Sequence, residues 1–319
     1  MPSEDISVVL PAHGAAPFLA EAVASVLYAD SGILELLVVD DRLDPAAAEA
    51  LGDVDDSRLR VVQCAGVGLV AALNTGLREA RGSLVARMDA DDVSLPDRFV
   101  LQGNYLRHNE HVLAVGGQLV VIDEYGAEVG VRRYPVQPEA IVRQLAHRNV
   151  LAHPAVMFDR AAVLAVGGYR EEFVAAEDYE LWLRLSERGS LANVDVPVLK
   201  YRVHSGQVTS SSGVTVAEST YLAQWSARQR RSGRNDLPLP WEPGRAVSLP
   251  WSVARLVRRR VVAAARAYAA LRQALAAGSS VRAICLACAW VLLRPRYSLS
   301  LLSNLRDWLR VSQRTGSSH

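Results

Sequence analysis

The chain has 319 residues, of which 50% are hydrophobic and 22% are charged, and its formal net charge is +1. This composition excludes global disorder and allows one large α/β domain with an appendage. The three cysteines, Cys64, Cys285 and Cys288, are too few for a disulfide framework, and Cys285 and Cys288 lack the second pair that a zinc site needs.

The first 90 residues predict strands that alternate with helices. The strands are expected at 6–10, 34–39, 59–62 and 83–88, and the helices at 18–28, 45–51 and 69–80. This alternation is typical of a mostly parallel sheet that helices cover on both faces. Ligands of such sheets bind at the carboxyl ends of the strands, where Asp40, Asp41 and the acidic run 89–92 fall.

The pattern changes after residue 95, and the sheet is expected to become mixed. The predicted elements are a helix at 96–108, a hairpin made of 113–122 and 129–134, a helix at 138–146 and a helix from Glu177 to about Arg188. The segment 203–213 is rich in Ser and Gly, which indicates a mobile loop that closes over a ligand.

The small net charge conceals an acidic part and a basic part of the chain. Residues 1–220 form the first predicted domain, 221–250 a linker with several prolines, and 251–319 a basic helical region. The first domain holds 18 Lys and Arg against 31 Asp and Glu, whereas residues 221–319 hold 17 against 3. A basic tail on an acidic body implies an anionic partner, either a membrane or a nucleic acid.

The tail pattern favours a membrane surface over a nucleic acid. Helical spacing over 251–277 places aliphatic residues on one side of a helix, and on the other Arg255, Arg258, Arg259 and Arg266. No nucleic acid is expected, because these arginines lack interleaved aromatic residues for base stacking. The apolar run 283–293 is too short to span a bilayer, and the N-terminus lacks a secretory signal. We therefore expect a cytoplasmic protein with peripheral membrane attachment; the alternative is that these helices pack on the first domain.

The acidic run Asp89-Ala-Asp-Asp92 is the clearest candidate for chemistry. Three aspartates at the end of an apolar strand repel one another unless a cation or water neutralises them. Divalent ions such as Mg²⁺ accept a few carboxylate oxygens and keep positions open for phosphate oxygens. The run therefore predicts a metal and diphosphate site, with a solvated acidic turn as the alternative.

Three further groups are candidates at the same site. Asp40 and Asp41 could accept hydrogen bonds from a base or a ribose, or could cap the segment that follows. Asp178 leads the apolar face of its helix, as a general base would, although a helix cap is the alternative. Burial would raise the pKa of Asp178 and the helix N-terminus would lower it, so the sequence leaves the net direction open. His204 could serve a metal or a diphosphate, or could be structural.

In order along the chain, these pieces resemble glycosyltransferase family 2, in particular its bacterial branch that builds exopolysaccharide and lipopolysaccharide chains. The resemblance covers roughly residues 5–210. The matching motifs are Ile6-Ser-Val-Val-Leu-Pro11, Val38-Val-Asp-Asp41, Leu73-Asn-Thr-Gly76, Ala86-Arg-Met-Asp-Ala-Asp-Asp92, Leu95-Pro-Asp-Arg98, His153-Pro154, Gly167-Gly-Tyr169, Glu177-Asp-Tyr-Glu-Leu-Trp-Leu183 and Tyr201-Arg-Val-His204.

The resemblance implies a GT-A fold, an α/β fold with a mostly parallel mixed sheet and flanking helices, here with a C-terminal helical appendage. It implies Asp178 as the catalytic base and a divalent metal, Mg²⁺ or Mn²⁺, at Asp89, Asp91 and His204. The residues that it places near the nucleotide sugar are Pro11, His13, Asp40, Asp41, Asn74, Arg87 and Asp89. Near the acceptor, or supporting the residues that are, it places His153, Glu177 and Trp182.

The expected activity is transfer of a sugar, with inversion, from a nucleotide-sugar donor to a hydroxyl of a glycan or lipid-linked acceptor. A UDP-sugar is the expected donor. A sugar nucleotidyltransferase is the alternative enzyme, but the loop 11–16 lacks the lysine or arginine that it needs. A membrane-docked scaffold without activity is the non-enzyme alternative, which the presence of Asp89, Asp91, Asp178 and His204 disfavours. The sequence leaves the oligomeric state open.

Overall fold

The computed structural model describes residues 5–28, 32–173, 175–204, 213–234 and 236. The chain divides into two units, the first made of Met1–Glu171 with Glu177–His204, and the second of Glu172–Ala176 with Ser205–His319. All strands of the described residues belong to the first unit.

The first half of the sheet alternates strands and helices, as predicted. Its elements are β1 (Ile6–Gly14), α1 (Leu19–Leu27), β2 (Glu35–Leu43), α2 (Pro45–Gly52), β3 (Leu59–Gln63), α3 (Leu69–Glu79) and β4 (Leu84–Arg87). Strand β1 lies between β2 and β4 and is parallel to both, and β3 is parallel to β2. The four predicted strands and three predicted helices of this half are confirmed.

The second half adds antiparallel pairs and completes a mixed sheet of nine strands. Its elements are β5 (Val93–Ser94), α4 (Arg98–His108), β6 (Val112–Ile122), β7 (Glu128–Arg132), α5 (Pro138–Leu145), a 3₁₀ turn (His153–Ala155), β8 (Met157–Asp159), α6 (Arg160–Ala165), a 3₁₀ turn (Glu171–Phe173), α7 (Glu177–Leu185), β9 (Ser190–Arg202) and α8 (Gly213–Arg231). The strand order is β3-β2-β1-β4-β8-β6-β9-β5, with β7 beside β6. The predicted hairpin of β6 and β7 and the α/β class with a mixed sheet are confirmed.

Close packing of α3 on the sheet depends on a glycine. The core strand β1 is buried from Ile6 to Leu10, so both of its faces are covered. A Cβ atom on Gly76 of α3 would lie 2.3 Å from Cγ1 of Val9. Because real Cβ contacts are never this short, only glycine lets α3 approach this face of β1 so closely.

The two longest elements that were not predicted are β9 and α8. Strand β9 pairs in parallel with β6 through three register shifts, and it contains Pro197, so its burial lacks the alternation by which strands are recognised. Helix α8 begins at Gly213 and contains no Gly or Pro from 214 to 231, so nothing in that segment interrupts it. The predicted domain boundary between residues 220 and 221 therefore falls inside a helix, and the linker cannot begin there.

The predicted tail helices over 251–277 and 283–293 lie outside the described residues, as does most of the loop 203–213. The division of the chain into a first domain, a linker and a basic tail stays a prediction. Among the helices that are described, none is both long enough and apolar enough to cross a bilayer.

Glu35 anchors the amino-terminal edge of the parallel strands. Its carboxylate is 2% exposed and accepts hydrogen bonds from Ser7 Oγ at 2.7 Å, Arg60 Nη1 at 2.5 Å and the Arg81 amide at 2.7 Å. Burial alone would raise the pKa of Glu35, but these three donors outweigh burial and hold the pKa below its usual value. The ionised carboxylate therefore stabilises the fold.

We expect Glu35→Gln to lower the free energy of unfolding at pH 7 by about 2 kcal/mol, because a charged acceptor is lost. A lowered pKa contributes stability that is present above the unfolded value, roughly 4.3, and that is lost as pH falls through the folded value. The difference between the wild type and the variant should therefore shrink between about pH 5 and pH 3 in urea unfolding. The exposed Glu110→Gln is the control, and a pH-independent difference for Glu35→Gln would contradict this account.

Candidate active site

Carboxylates collect at the carboxyl ends of β2 and β4, within the parallel half of the sheet. Asp40 and Asp41 lie near the end of β2, and the acidic run 89–92 follows β4 directly. The Met88 amide donates to the Val9 carbonyl, so pairing with β1 continues to the residue before the run. Both acidic segments therefore reach the edge at which ligands of such sheets bind.

Three carboxylates of the run, which we call the acidic cluster, converge on one point. An oxygen from each of Asp89, Asp91 and Asp92 lies within 4.8 Å of the other two. His204 joins them, because its Nε2 lies 3.0 Å from Oδ2 of Asp91. Carboxylate oxygens are the ligands that Mg²⁺ and Mn²⁺ prefer. The acidic cluster therefore fits a divalent cation, and within the described residues no other group of three such ligands occurs.

Burial acts against the negative charge of the acidic cluster. Asp92 is 1% exposed, and burial, with the charges of Asp89 and Asp91, raises its pKa well above the usual value. Burial also raises the pKa of Asp89, although the nearby Arg87 guanidinium lowers it. Counter-charges are therefore needed around the cluster.

Arg202, at the end of β9, supplies N–H donors to the acidic run. Its backbone N–H donates to Oδ1 of Asp92 at 2.9 Å, and its Nε donates to the Asp91 carbonyl at 2.8 Å. Its Nη2 donates to Oε2 of Glu21 at 2.6 Å, which ties the end of β9 to α1. Since His204 follows two residues later, Arg202 also fixes the backbone that carries the imidazole to Asp91.

Arg87, the last residue of β4, supplies a counter-charge to the acidic cluster. It is 3% exposed, and its Nη2 lies 2.5 Å from Oδ1 of Asp89. The carbonyl of Arg87 accepts from Nη2 of the buried Arg98 at 2.6 Å, which fixes its backbone from α4. The structure thus places Arg87 beside the acidic cluster as a buried partner of Asp89, and a contact with the donor stays a prediction.

Asp178 begins a helix, as predicted, and both of its carboxylate oxygens are held. Nδ2 of Asn149 donates to Oδ2 at 2.5 Å, and the Tyr179 amide donates to Oδ1 at 2.6 Å. Burial raises the pKa of Asp178, and these hydrogen bonds offset the rise only in part. The sequence left the direction of the pKa shift of Asp178 open, and in the structure the shift is upward. The Asp178 carboxylate therefore accepts a proton more readily than a free aspartate does. Burial, with the Asp178 charge, also raises the pKa of the neighbouring Glu177 to about 7.

Asp41 and His13 lie at the ends of β2 and β1. Asp41 is 5% exposed, and its Oδ2 accepts from the Gly68 amide at 2.8 Å, which fixes the start of α3. Nδ1 of His13 lies 2.5 Å from the Asp41 carbonyl. Asp41 thus has a structural partner, whereas the imidazole of His13 is largely exposed and open to a ligand.

Asp40 and Pro11 are the other predicted donor contacts of this edge. Asp40 accepts from the Leu43 amide and from Nε2 of Gln63, both at 2.7 Å. Pro11 lies in β1 and pairs in register with Val39 of β2. The structure brings both residues to the predicted edge of the sheet, and their contacts with a nucleotide stay predictions.

Asn74, His153 and Trp182 meet around Tyr169. The amide of Asn74 donates to the Tyr169 carbonyl at 2.8 Å and accepts from the Tyr169 N–H at 2.9 Å. Nε2 of His153 lies 3.0 Å from the Tyr169 hydroxyl, and the His153 ring packs edge-on against Trp182 at 6.1 Å. Burial, with the Arg87 charge, lowers the pKa of His153 well below its usual value, so the ring is neutral. These contacts are structural, and roles in donor or acceptor binding stay predictions.

Three residues of this site were not singled out from the sequence: Asn149, Tyr169 and Arg202. Tyr169 and Arg202 lie within recognised motifs, Gly167-Gly-Tyr169 and Tyr201-Arg-Val-His204, but were given no role, and Asn149 lies four residues before His153-Pro154. The signal for Arg202 was its place two residues before His204. The partners of Asn149 and Tyr169 are 29 and 95 residues away, so no local pattern could identify them.

Known proteins resemble this chain in sequence and in fold. The family profile "Glycosyl transferase family 2" matches residues 7–164. The amylovoran biosynthesis glycosyltransferase AmsE of Erwinia amylovora is 34% identical over 148 residues, which cover 46% of this chain and 55% of AmsE. The match therefore spans little more than half the length of AmsE. The O-antigen biosynthesis glycosyltransferase WbnJ of Escherichia coli is 31% identical over 213 residues, which cover 65% of this chain and 83% of WbnJ.

A solved structure agrees at the level of the fold. The mannosyltransferase PcManGT from Pyrobaculum calidifontis, in complex with GDP-Man and Mn²⁺, superposes with a TM-score of 0.56 at 18% identity, covering 98% of this chain and 88% of that chain. The predicted GT-A fold is thereby confirmed. With the profile match and the extent of the WbnJ match, the chain belongs to glycosyltransferase family 2.

Proposed function

We propose that this chain transfers a sugar from a nucleotide-diphosphate sugar to a hydroxyl of a glycan or lipid-linked acceptor in the synthesis of a cell-surface polysaccharide. The observation that carries the proposal is the convergence of Asp89, Asp91, Asp92 and His204 at the carboxyl edge of the sheet. The charge of Asp89 also raises the pKa of Glu177, which supports a site that includes both the acidic cluster and the start of α7.

Asp89, Asp91 and His204 are the residues that would hold a divalent cation. Such an ion, when bound, stabilises the negative charge that develops on the departing nucleoside diphosphate. Asp92 is better suited to a supporting role, because it is buried and its Oδ1 already accepts from the Arg202 amide.

Asp178 is the proposed general base. Its Oδ1 and Oδ2 are oriented by Tyr179 and Asn149, and its raised pKa suits it to take the proton of an acceptor hydroxyl. The acceptor oxygen then attacks the anomeric carbon from the face opposite the phosphate. One displacement of this kind inverts the configuration at that carbon, and the proton ends on Asp178.

The related proteins support a nucleotide sugar as the donor and polysaccharide synthesis as the pathway. The names of AmsE and WbnJ place those enzymes in amylovoran and O-antigen biosynthesis. The PcManGT complex shows that a neighbour in fold binds a nucleotide sugar together with Mn²⁺. We expect a UDP-sugar as the donor. Because that complex holds GDP-Man, GDP-sugars are the first alternative donors to test.

The proposed function is tested by measuring nucleoside diphosphate release from UDP- and GDP-sugars, with lipid-linked glycans as acceptors. We expect release with Mg²⁺ or Mn²⁺ and little release in EDTA, because the leaving-group charge then lacks its counter-ion. NMR of the product should show the anomeric configuration opposite to that of the donor. Equal release in EDTA, or a retained configuration, would contradict the proposal.

The base is tested by Asp178→Asn, which keeps the shape of the side chain and removes its basicity. We expect transfer to fall by roughly 10²- to 10⁴-fold while the Kd of the donor is unchanged. The matched control is Asp195→Asn, because the Asp195 side chain is 73% exposed and far along β9 from Arg202. Turnover by Asp178→Asn near that of the control would remove Asp178 from the role.

We also propose that residues 251–319 attach the chain peripherally to the inner face of the membrane. The support is the excess of 17 Lys and Arg over 3 Asp and Glu in residues 221–319. Anionic lipid attracts such a segment. In flotation with vesicles that contain phosphatidylglycerol, the full chain should bind.

The full chain with Arg255, Arg258, Arg259 and Arg266 changed to glutamate should stay unbound in that flotation, because these residues provide the proposed lipid-facing charge. Vesicles of phosphatidylcholine are the control for charge-independent binding. Equal flotation of both proteins would assign the membrane contact elsewhere.

A further inference from the structure

Arg87 has more hydrogen-bonding capacity than its one ion pair uses. Its Nη2 pairs with Asp89, but its buried Nε and Nη1 have no hydrogen-bond partner among the described residues. Its backbone is fixed, because its N–H donates to the Val156 carbonyl and its own carbonyl accepts from Arg98. Burying a guanidinium with Nε and Nη1 unpaired costs free energy. A second interaction of the Arg87 charge would offset this cost.

The surroundings of Arg87 lead from the acidic cluster to α7. Arg87 and Tyr169 line one small internal cavity. The Tyr169 hydroxyl lies 3.0 Å from His153, and the His153 ring packs on Trp182 of α7. The remaining walls of the cavity include the apolar residues Val85 and Phe158, which leave the charge of Arg87 poorly screened.

The two carboxyls at the start of α7 feel this charge. Burial raises the pKa of Asp178 and of Glu177, and the Arg87 charge acts in the opposite direction on both. Arg87 thus pairs with a predicted metal ligand, Asp89, and its charge also lowers the pKa of the predicted base, Asp178.

We propose that Arg87 competes with the divalent cation for Asp89. This inference rests on the proposed function, because it needs the cation site. In the metal-free protein, the Arg87 guanidinium pairs with the Asp89 carboxylate. Coordination of a cation by Asp89 requires that this ion pair be broken, which leaves the buried guanidinium without its partner.

Competition and simple structural support predict opposite signs for metal binding. If Arg87 competes with the cation, removing its charge strengthens cation binding, because Asp89 is freed and a repulsive charge is lost. If Arg87 only holds the acidic cluster in shape, removing it weakens cation binding. The sign of the change therefore identifies the role without any measurement of transfer.

The experiment measures Mn²⁺ affinity of the full chain by titration followed by electron paramagnetic resonance. We expect Arg87→Met to bind Mn²⁺ about tenfold more tightly than the wild type, and Arg87→Lys, which keeps the charge, to stay close to the wild type. Transfer by Arg87→Met should nevertheless fall, because Asp178 loses its counter-charge. The matched control is Arg58→Met, which removes an arginine paired with Asp56 at 2.7 Å at the opposite edge of the strands and should leave Mn²⁺ affinity unchanged.

Arg87→Gln, a neutral variant that keeps N–H donors, is measured in parallel, so that misfolding of one variant does not decide the result. Mn²⁺ affinity that is unchanged or weaker in both folded neutral variants would overturn the inference while leaving the proposed function intact. Tighter binding by Arg58→Met as well would also overturn it. Absence of Mn²⁺ binding by the wild type would overturn both the inference and the metal site.

Discussion

The constraint on which this structure depends is the concentration of negative charge at the carboxyl edge of the sheet. Oxygens of Asp89, Asp91 and Asp92 lie within 4.8 Å of one another, and burial raises the pKa of Asp89 and of Asp92. Such a group is stable only when cations and N–H donors from elsewhere in the chain face it. Arg87 supplies a positive charge from β4 itself, and the Arg202 backbone supplies an N–H donor from β9.

This constraint explains why the antiparallel half of the sheet matters for a site that the parallel half presents. Arg202 and Asp92 are 110 residues apart, and the distance is closed by the antiparallel pairing of β5 with β9, in which Val93 lies opposite Lys200. Strand β9 also delivers His204 to Asp91. The alternating strands thus provide the carboxylates and Arg87, while β9 adds the Arg202 N–H donor and leads to His204.

The sequence predicted the elements in which one local pattern decides the outcome. Apolar strands that end in aspartates gave the positions of Asp40 and of the acidic run, and the start of α7 at Glu177 followed from helical spacing. Strand β9 escaped prediction, because its register shifts and Pro197 break the alternation. Asn149, whose amide orients Asp178, could not be found either, since a contact between residues 29 positions apart leaves no trace in composition or spacing.

The predicted site residues fall into two groups, one with exposed side-chain atoms and one that is buried. A side chain that meets a ligand needs atoms that the ligand can reach, and Asp89, Asp91 and His204 keep 32%, 28% and 18% of their side-chain surface. Arg87 and Trp182 keep 3% and none, so almost no atom of either residue is open to a ligand. The residues of one sequence motif therefore divide in the fold. Some keep exposed atoms that a ligand can reach, and the others are buried beneath them and fix their charge and position.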